Sequence, residues 1–403
     1  MTWRSWIRFE TVVCLALGTV VALDAINGRL WMNDFRVYWE AGDRLLHGQA
    51  VYGVSVGVSS GFFKYSPFAL LLLCPFAWLP YTAAALLWSA VIIAATVLAF
   101  RTAERLLRQH VLSRPVAFQP AVLWLTFLVV GVHLHRELHM GNINMVLLVV
   151  LLAVLQALAA RRNQAAGLWL GIAILFKPHF LALLPLLMLH GRWKVLAWAG
   201  GAALIGSAVP ALVLGWRTNL GLLHDWTTWM RIHNVYLFYL GNEDKEPMNT
   251  AYTVFRRLSF GTIPPTVTMA LILFATLASG LLLFDRAMAR RSGAEGHDRL
   301  LLFNLLVVVA GVPSVTVTDT EHFLLAMPLI AYVILHALRP DRPSWLIPVA
   351  IAVLWAFGGN WGDALGPFSD VLLDHSVLGM ANLLLIGLCA FLYVRDASEP
   401  ERA

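Results

Sequence analysis

Apolar runs recur along the whole chain, at 7–26, 65–79, 81–100, 116–134, 143–160, 165–176, 178–190, 195–215, 263–284, 300–317, 323–338, 345–359 and 377–394. A run of about 20 apolar residues matches the thickness of a bilayer core, so the ladder predicts an all-α, polytopic transmembrane bundle of about 11–12 spans. Nothing divides it, and residues 1–403 read as a single integral membrane domain. Two stretches break the rhythm. The run 65–79 opens at Tyr65-Ser66-Pro67 and stops at Leu79-Pro80, which predicts a short interfacial or re-entrant helix. The runs on either side of Phe176-Lys177-Pro178 predict two half-length helices meeting at a polar turn.

A different period appears in 34–47. There Phe35, Tyr38, Trp39, Leu45 and Leu46 fall at helical spacing, with Arg36, Glu40, Asp43 and Arg44 between them. That pattern predicts an amphipathic helix lying on the membrane surface. Composition agrees with the ladder: 59% of residues are hydrophobic and 13% charged, against about 25% charged in soluble domains. The net charge of +6 reflects basic residues gathered on one side of a membrane, and no nucleic-acid partner is expected. Cys14, Cys74 and Cys389 lie far apart in apolar runs and read as buried small hydrophobes. The first run lacks a small-x-small cleavage pattern and reads as an uncleaved span.

Lys and Arg fix a topology. With 65–79 not crossing and the amino terminus cytoplasmic, the cytoplasmic segments hold Arg4, Arg8, Arg101, Arg105, Arg108, Arg114, Arg161 and Arg162. Further along the chain they hold Arg192, Lys194, Arg286, Arg290, Arg291, Arg299, Arg339, Arg342, Arg395 and Arg402. Those are eighteen of the 29 basic residues, and every alternate loop obeys the positive-inside bias. Making 65–79 a span would invert everything after it. The expected outer face carries a first loop at 27–64 and a large loop at 216–262, with shorter loops at 135–142, around Lys177, at 319–322 and at 360–376. Both termini, including the tail 395–403, are expected in the cytoplasm of a multi-pass inner-membrane (plasma-membrane) protein.

Candidate chemistry collects on that outer face. Asp34 follows the first span at the start of the surface helix; it suits either the helix N-terminus or the headgroup of a lipid-linked substrate. Phe62-Phe63-Lys64-Tyr65-Ser66-Pro67 offers a cation and aromatics to a phosphate, or an interfacial anchor. Lys177, alone in an apolar stretch, is suited to a phosphate oxygen, with a snorkelling lysine as the bland reading. His133, His135, His139, Asn142 and Asn144 crowd a short loop and read as sugar-lining residues rather than metal ligands. Asn249-Thr250 suits sugar hydroxyls, and the Arg256-Arg257 pair suits phosphate bidentately. In Thr318-Asp319-Thr320-Glu321-His322, two carboxylates and a histidine could form a general-base relay, a metal site or a hydrated turn; the hydrated turn is favoured for the carboxylates, and His322 reads as pointing inward. No glycine-rich phosphate loop, nucleophile elbow or His-Glu-x-x-His helix is present, and no βαβ nucleotide-sugar domain is indicated.

These residues resemble a known family. Asp34-Phe35-Arg36-Val37-Tyr38-Trp39, with Ala41-Gly42 and Leu46-x-Gly48 up to Tyr52, is similar to the first-loop signature of glycosyltransferase family 87, polytopic transferases of the GT-C type. Further matches are Phe63-x-Tyr65-x-Pro67, Pro75, Leu79-Pro80, Gly141-Asn142-x-Asn144, and Ala166-Gly167-x-x-x-Gly171 leading to Lys177-Pro178. Asn249-Thr250 with Arg257, and His322 with Pro328, extend the likeness over about residues 7–340. Tyr65-Ser66-Pro67 stands where a double proline is usual, and Met140-Gly141 precedes Asn142 where a glutamine is common.

The resemblance implies an inverting, metal-independent transfer of a hexose, typically mannose, from a polyprenyl-phosphate sugar to a lipid or glycan acceptor on the outer face. No cofactor is expected. Asp34 would be the general base, and Lys177, Arg257, His322 and Lys64 would bind the donor phosphate. Tyr38, Tyr65, Asn142, Asn144 and Asn249 would line the substrate site. The rival class is a transporter or flippase of lipid-linked envelope intermediates, which also uses broken helices and intramembrane charge. The long first outer loop and the lack of an internal repeat favour the transferase.

Overall fold

Apolar stretches long enough to satisfy their own backbone as helices dominate the chain, and a computed structural model shows what they build. It describes residues 4–56, 61–114, 116–239, 249–258, 267–290, 294–315 and 319–398. Among these, every regular element is a helix. The α-helices are α1 (Arg4–Ile26), α2 (Asn33–Leu46), α3 (Pro67–Leu73), α4 (Tyr81–Leu106), α5 (Pro120–Met140), α6 (Asn144–Ala159), α7 (Asn163–Phe176), α8 (Leu184–Leu189), α9 (Trp193–Ala208) and α10 (Pro210–Leu214). They continue with α11 (Trp216–Tyr239), α12 (Ala251–Leu258), α13 (Val267–Ala289), α14 (Ala294–Val315), α15 (Met327–Ala337), α16 (Leu346–Gly358), α17 (Gly362–Leu365), α18 (Pro367–Asp374) and α19 (Val377–Ser398).

Seven helical stretches among the described residues are long and apolar enough to cross a membrane: Phe9–Ile26, Tyr81–Val111, Pro120–Met140, Trp193–Leu214, Gly296–Val315, Thr320–Ala337 and Val377–Ala397. Shorter apolar helices fill in between them, among them α6, α7 and α16. The chain is a multi-pass, all-α membrane protein.

The two predicted breaks are present. Residues 65–79 form α3 and a 3-10 turn, Cys74–Trp78. Together they cover Pro67–Trp78, which at about 1.5 Å per residue is far too short to cross about 30 Å of hydrocarbon. Ser66 caps α3, its Oγ accepting from Ala69 N at 3.4 Å. Lys177 sits in extended backbone between α7 and the 3-10 segment Pro178–Leu183. The second half of that hairpin is 3-10 and then α8, with Pro178 and Pro185, which lack an N–H donor, in the opening turn of each.

Small residues let the half-helices pack closely. A Cβ added at Gly167 would come within 2.6 Å of Val195 O, and one at Gly171 within 2.8 Å of Ala199 O. The Gly-x-x-x-Gly stripe of α7 therefore lies directly on the backbone of α9. The interior is built on Thr320–Ala337, whose residues Phe323 to His336 are all buried. It packs against α5, α14, α16 and α19, with Phe303 stacked on Tyr393 at 4.4 Å and tilted against Tyr332 at 5.6 Å.

The surface helix is α2. It buries Phe35, Val37, Tyr38, Ala41 and Gly42 against α3, the Cys74–Trp78 turn, α4 and α5. The sequence 216–262, expected as an outer loop, contains the 24-residue helix α11. Arg217, Asn219, His224, Asp225 and Arg231 interrupt its apolar pattern, so it does not read as a span. Its Trp226 Nε1 donates to Lys64 O at 3.0 Å, and Trp229 stacks on Phe62 at 6.4 Å, which clamps the first loop. The expected loop 360–376 likewise holds α17 and α18. Cys74 and Cys389 are buried as expected, but Cys14 is exposed on the outside of α1, where a bilayer would cover it.

Candidate active site

The site begins where α5 ends. Gly141 adopts φ 66°, ψ 35°, and closes the helix with two backbone bonds: Gly141 N to Leu138 O (3.2 Å) and Asn142 N to Glu137 O (3.1 Å). This left-handed helix ending favours glycine. Space makes the same demand, since a Cβ at Gly141 would lie 2.6 Å from Phe35 Cβ. Trp88 Nε1 donates to Gly141 O at 2.8 Å and its ring stacks on Phe35 at 5.6 Å. The turn after α5 is thereby fastened to the first turn of α2.

That fastening sets Asp34 against Asn142. Asn142 Oδ1 accepts from Ile143 N at 2.7 Å, which turns its amide nitrogen toward acids. Nδ2 donates to Asp34 Oδ2 at 2.6 Å and to Glu321 Oε1 at 3.3 Å. The other Glu321 oxygen, Oε2, accepts from Arg136 Nε at 3.0 Å. Among the described contacts, Asp34 Oδ1 accepts no hydrogen bond and remains open. The helix-capping reading of Asp34 is not what the side chain does: the N-cap of α2 is Met32, without a side-chain bond, and the carboxylate reaches Asn142.

A second chain runs from the neighbouring residue. Glu137 is fully buried and accepts from Met145 N and from Asn144 Nδ2, both at 2.9 Å. A carboxylate at the first turn of α6 complements the free amides there. Asn144 Oδ1 then accepts from Lys177 Nζ at 2.8 Å. Two adjacent side chains at the end of α5, Arg136 and Glu137, thus anchor the supports of Asp34 and Lys177 respectively. Hydrogen-bonded side-chain networks of this kind restrain their members.

Around these chains stand Tyr38 and Tyr65, whose hydroxyls lie 3.0 Å apart; Tyr52 Oη donates to Tyr65 O at 2.9 Å. Lys64 is within electrostatic reach of Asp34 and Asp319. His322 is within reach of Lys177, Lys64 and His179, and its buried Nδ1 holds no hydrogen bond.

The electrostatics suit proton transfer. Burial raises the Asp34 carboxyl most, and nearby Asp319 adds to it. Lys64, Lys177 and the Asn142 hydrogen bond pull it back, leaving it at about 6 against an ordinary 3.8. Burial also lowers the Lys64 ammonium, with Asp34 and Asp319 opposing. A carboxylate near 6 is still mostly ionised at neutral pH and is a stronger base than a free aspartate.

Asp34, Lys64, Lys177, His322, Tyr38, Tyr65, Asn142 and Asn144 are therefore brought together on one face. Asn249 is not: its backbone lies against Gly379 at the start of α19, and none of the described hydrogen bonds joins it to Asp34. Arg257 belongs to α12, and its side chain lies outside the described residues.

Two expectations need correcting. The histidines do not sit in a loop, because α5 runs on to Met140. His133 is buried and bonds Phe357 O at 3.0 Å, while His139 stacks on His135 and lies 3.6 Å from Asp24. Asp319 does behave as a hydrated-turn residue, its side chain 63% exposed, but Glu321 is fully enclosed. Glu137 and Glu321 were missed as site residues. The signal was the position of Glu137 one residue after Arg136, at the end of an apolar helix, and of Glu321 just before another.

Comparison with known proteins points the same way. The model of glycosyltransferase family 87 matches residues 62–318, a range that starts downstream of Asp34. Over 344 residues the chain is 27% identical to a polyprenol-phosphate-mannose-dependent alpha-(1-2)-phosphatidylinositol pentamannoside mannosyltransferase of Mycolicibacterium smegmatis, covering 79% of this chain and 76% of that one. Over 191 residues it is 32% identical to an alpha-(1->3)-arabinofuranosyltransferase of Corynebacterium glutamicum. That match covers 47% of this chain and 42% of the arabinofuranosyltransferase, so the chain spans less than half of that relative's length.

Proposed function

The chain belongs to glycosyltransferase family 87, and we propose that it transfers a hexose from a polyprenyl-phosphate sugar to a lipid or glycan hydroxyl, with Asp34 as general base. One observation carries the reading: one Asp34 oxygen is held by Asn142 while the other is open, beside the cations Lys64 and Lys177. Asp34 Oδ1 removes the acceptor's proton as its oxygen attacks the anomeric carbon. The anomeric carbon–oxygen bond breaks, and its electron pair leaves with the lipid phosphate. A single displacement of this kind inverts the anomeric centre.

The departing phosphate gains negative charge, and we assign its neutralisation to Lys177, Lys64 and His322; Arg257 is given the same task by the resemblance. Fixed donors and cations aimed at developing charge are a large source of rate enhancement. Tyr38, Tyr65, Asn142 and Asn144 would shape the sugar site, and Asn249 a more distant part of it. Mannose is the sugar in the name of the relative aligned over the greater length, and it is the donor sugar we assign. The active face is assigned to the outer side of the inner membrane, with both termini cytoplasmic, from the distribution of Lys and Arg.

The test is mass spectrometry of products after purified protein is incubated with polyprenyl-phosphate mannose and phosphatidylinositol mannosides. A product heavier by one hexose, with release of polyprenyl phosphate, is the expected result. Transfer of a pentose alone, from the corresponding polyprenyl-phosphate arabinose, would overturn the assignment of mannose. Movement of lipid-linked sugar across vesicles without any transfer would return the flippase reading.

A further inference from the structure

The stretch Thr320–Ala337 is long enough to cross a membrane, and the candidate active site occupies its first turn. At its other end, on the opposite face, lies a separate small cleft. Its polar walls are His336, Arg339, Asp341, Arg342, Arg395 and Asp396, and Leu346 and Leu392 form an apolar floor. We propose that this cleft binds the phosphate headgroup of an anionic phospholipid from the membrane leaflet opposite the active site.

The charges favour an anion. Both carboxylates are committed: Asp396 accepts from Arg339 Nη1 at 2.5 Å and from Ser113 Oγ at 2.7 Å, while Asp341 pairs with Arg114 at 3.2 Å. Arg339 is thus taken up by Asp396, and Asp341 is met by Arg114 from outside the lining, so neither carboxylate draws on Arg342. Arg342 is exposed at the rim, held by its Nη1 donating to Arg339 O at 2.9 Å. This leaves its remaining donors for a phosphate, which a guanidinium meets bidentately.

A second observation concerns His336. Its ring is 5% exposed and lines the cleft. Nδ1 lies 3.3 Å from Arg339 Nη1, while Nε2 faces Asp396 Oδ2 at 4.0 Å, beyond hydrogen-bond reach, and is buried with no hydrogen bond. Buried polar atoms of this kind are usually paired; a phosphate oxygen in the cleft would supply the partner. Helix α16 also begins at Leu346 in the cleft wall, so the positive end of its dipole adds to the field.

The apolar surroundings make the anion a lipid rather than a free ion. Trp345, 38% exposed, packs edge-on against Phe391, 54% exposed, at 5.5 Å. Each is next in sequence to a residue of the apolar floor. Aromatic side chains of this kind mark the headgroup level of a bilayer, and basic clefts between helix ends at that level take anionic headgroups. A headgroup seated on Arg342 and Arg339 would lay its acyl chains along Trp345 and Phe391.

The experiment titrates short-chain phosphatidylglycerol, short-chain phosphatidylcholine or inorganic phosphate into the full chain in detergent and follows the thermal unfolding midpoint. Phosphatidylglycerol alone is expected to raise the midpoint in a saturable way. Arg342→Gln should weaken its apparent affinity about tenfold, the size of one charge-assisted hydrogen bond, and Arg342→Glu more. Arg342 is exposed, so neither substitution removes core packing; native mass spectrometry of the wild type, counting bound phosphatidylglycerol against phosphatidylcholine, gives a readout free of folding effects. Equal titrations in wild type and both variants would overturn the site. Equal responses to both lipids, or the full response from inorganic phosphate, would overturn its assignment to an anionic lipid.

Discussion

Burial raises the Asp34 carboxyl most, and the Asn142 amide is one of the groups that pull it back down; removing that amide has a predictable effect on the pH dependence of catalysis. With the Asp34 carboxyl at about 6, kcat/KM of the wild type should rise through that pH. By simple titration, roughly 90% of the protein is active at pH 7 and roughly 10% at pH 5. The 2.6 Å bond from Asn142 Nδ2 stabilises the ionised form. A hydrogen bond to a charged group contributes about 1.5–3 kcal/mol, and one pKa unit corresponds to 1.36 kcal/mol. Asn142→Ala should therefore move the limb up by about 1–2 pH units, into the range of about 7–8. Activity at pH 7 should fall about two- to tenfold and recover at pH 9. The backbone bond from Asn142 N to Glu137 O survives the substitution, so the turn itself should persist. The assay is initial-rate sugar transfer across pH 4.5–9.5, with the unfolding midpoint followed in parallel. A limb that stays where it is in Asn142→Ala, with the protein folded, would refute Asp34 as the group behind it.

Further predictions follow from the same contacts. Gly141→Ala places a Cβ 2.6 Å from Phe35 Cβ at a positive φ; it should cost more than the roughly 1 kcal/mol of left-handed strain alone and lower transfer, measured by thermal unfolding and product formation. Lys177→Met should cut kcat/KM about 10²–10³-fold through the lost charge at the leaving phosphate, with a much smaller change in thermal midpoint; equal losses in both would make Lys177 structural. Asp34→Asn should not destabilise the protein at pH 7.5. The folded carboxyl is raised above its unfolded value, so the native state binds the extra proton. Stability then falls as pH rises from about 4 to 6, by about 3 kcal/mol at most and less for a half-buried group, and the amide removes that cost. A midpoint several degrees lower in Asp34→Asn would contradict the burial of an ionised Asp34.

Much of this was legible in the chain, for physical reasons. The period of Phe35, Tyr38 and Leu45 marks α2 because one face of a helix must meet apolar neighbours while the other meets water. Lys177 stands out because charge in an apolar stretch is costly, and Pro178 beside it forces the break. Glu137 and Glu321 were legible only as carboxylates at the ends of apolar helices. Each sits in a polar cluster that a turn would explain, and only the packing of α5 on Thr320–Ala337 encloses them. Helix α11 stayed hidden because its charged residues break the apolar run, and its docking depends on two tryptophans meeting a loop distant in sequence. Asn249, a residue type suited to sugars, is placed by the fold against Gly379 at the start of α19, a separation from Asp34 that spacing along the chain does not reveal.

The most direct test of the account is hexose transfer from polyprenyl-phosphate mannose by Asp34→Asn and Asp34→Glu, read by mass spectrometry of the acceptor alongside the wild type. Loss of a positioned base predicts a fall of about 10²–10⁴-fold in Asp34→Asn, with partial recovery in Asp34→Glu and undiminished donor binding in both. Wild-type turnover in folded Asp34→Asn would contradict it.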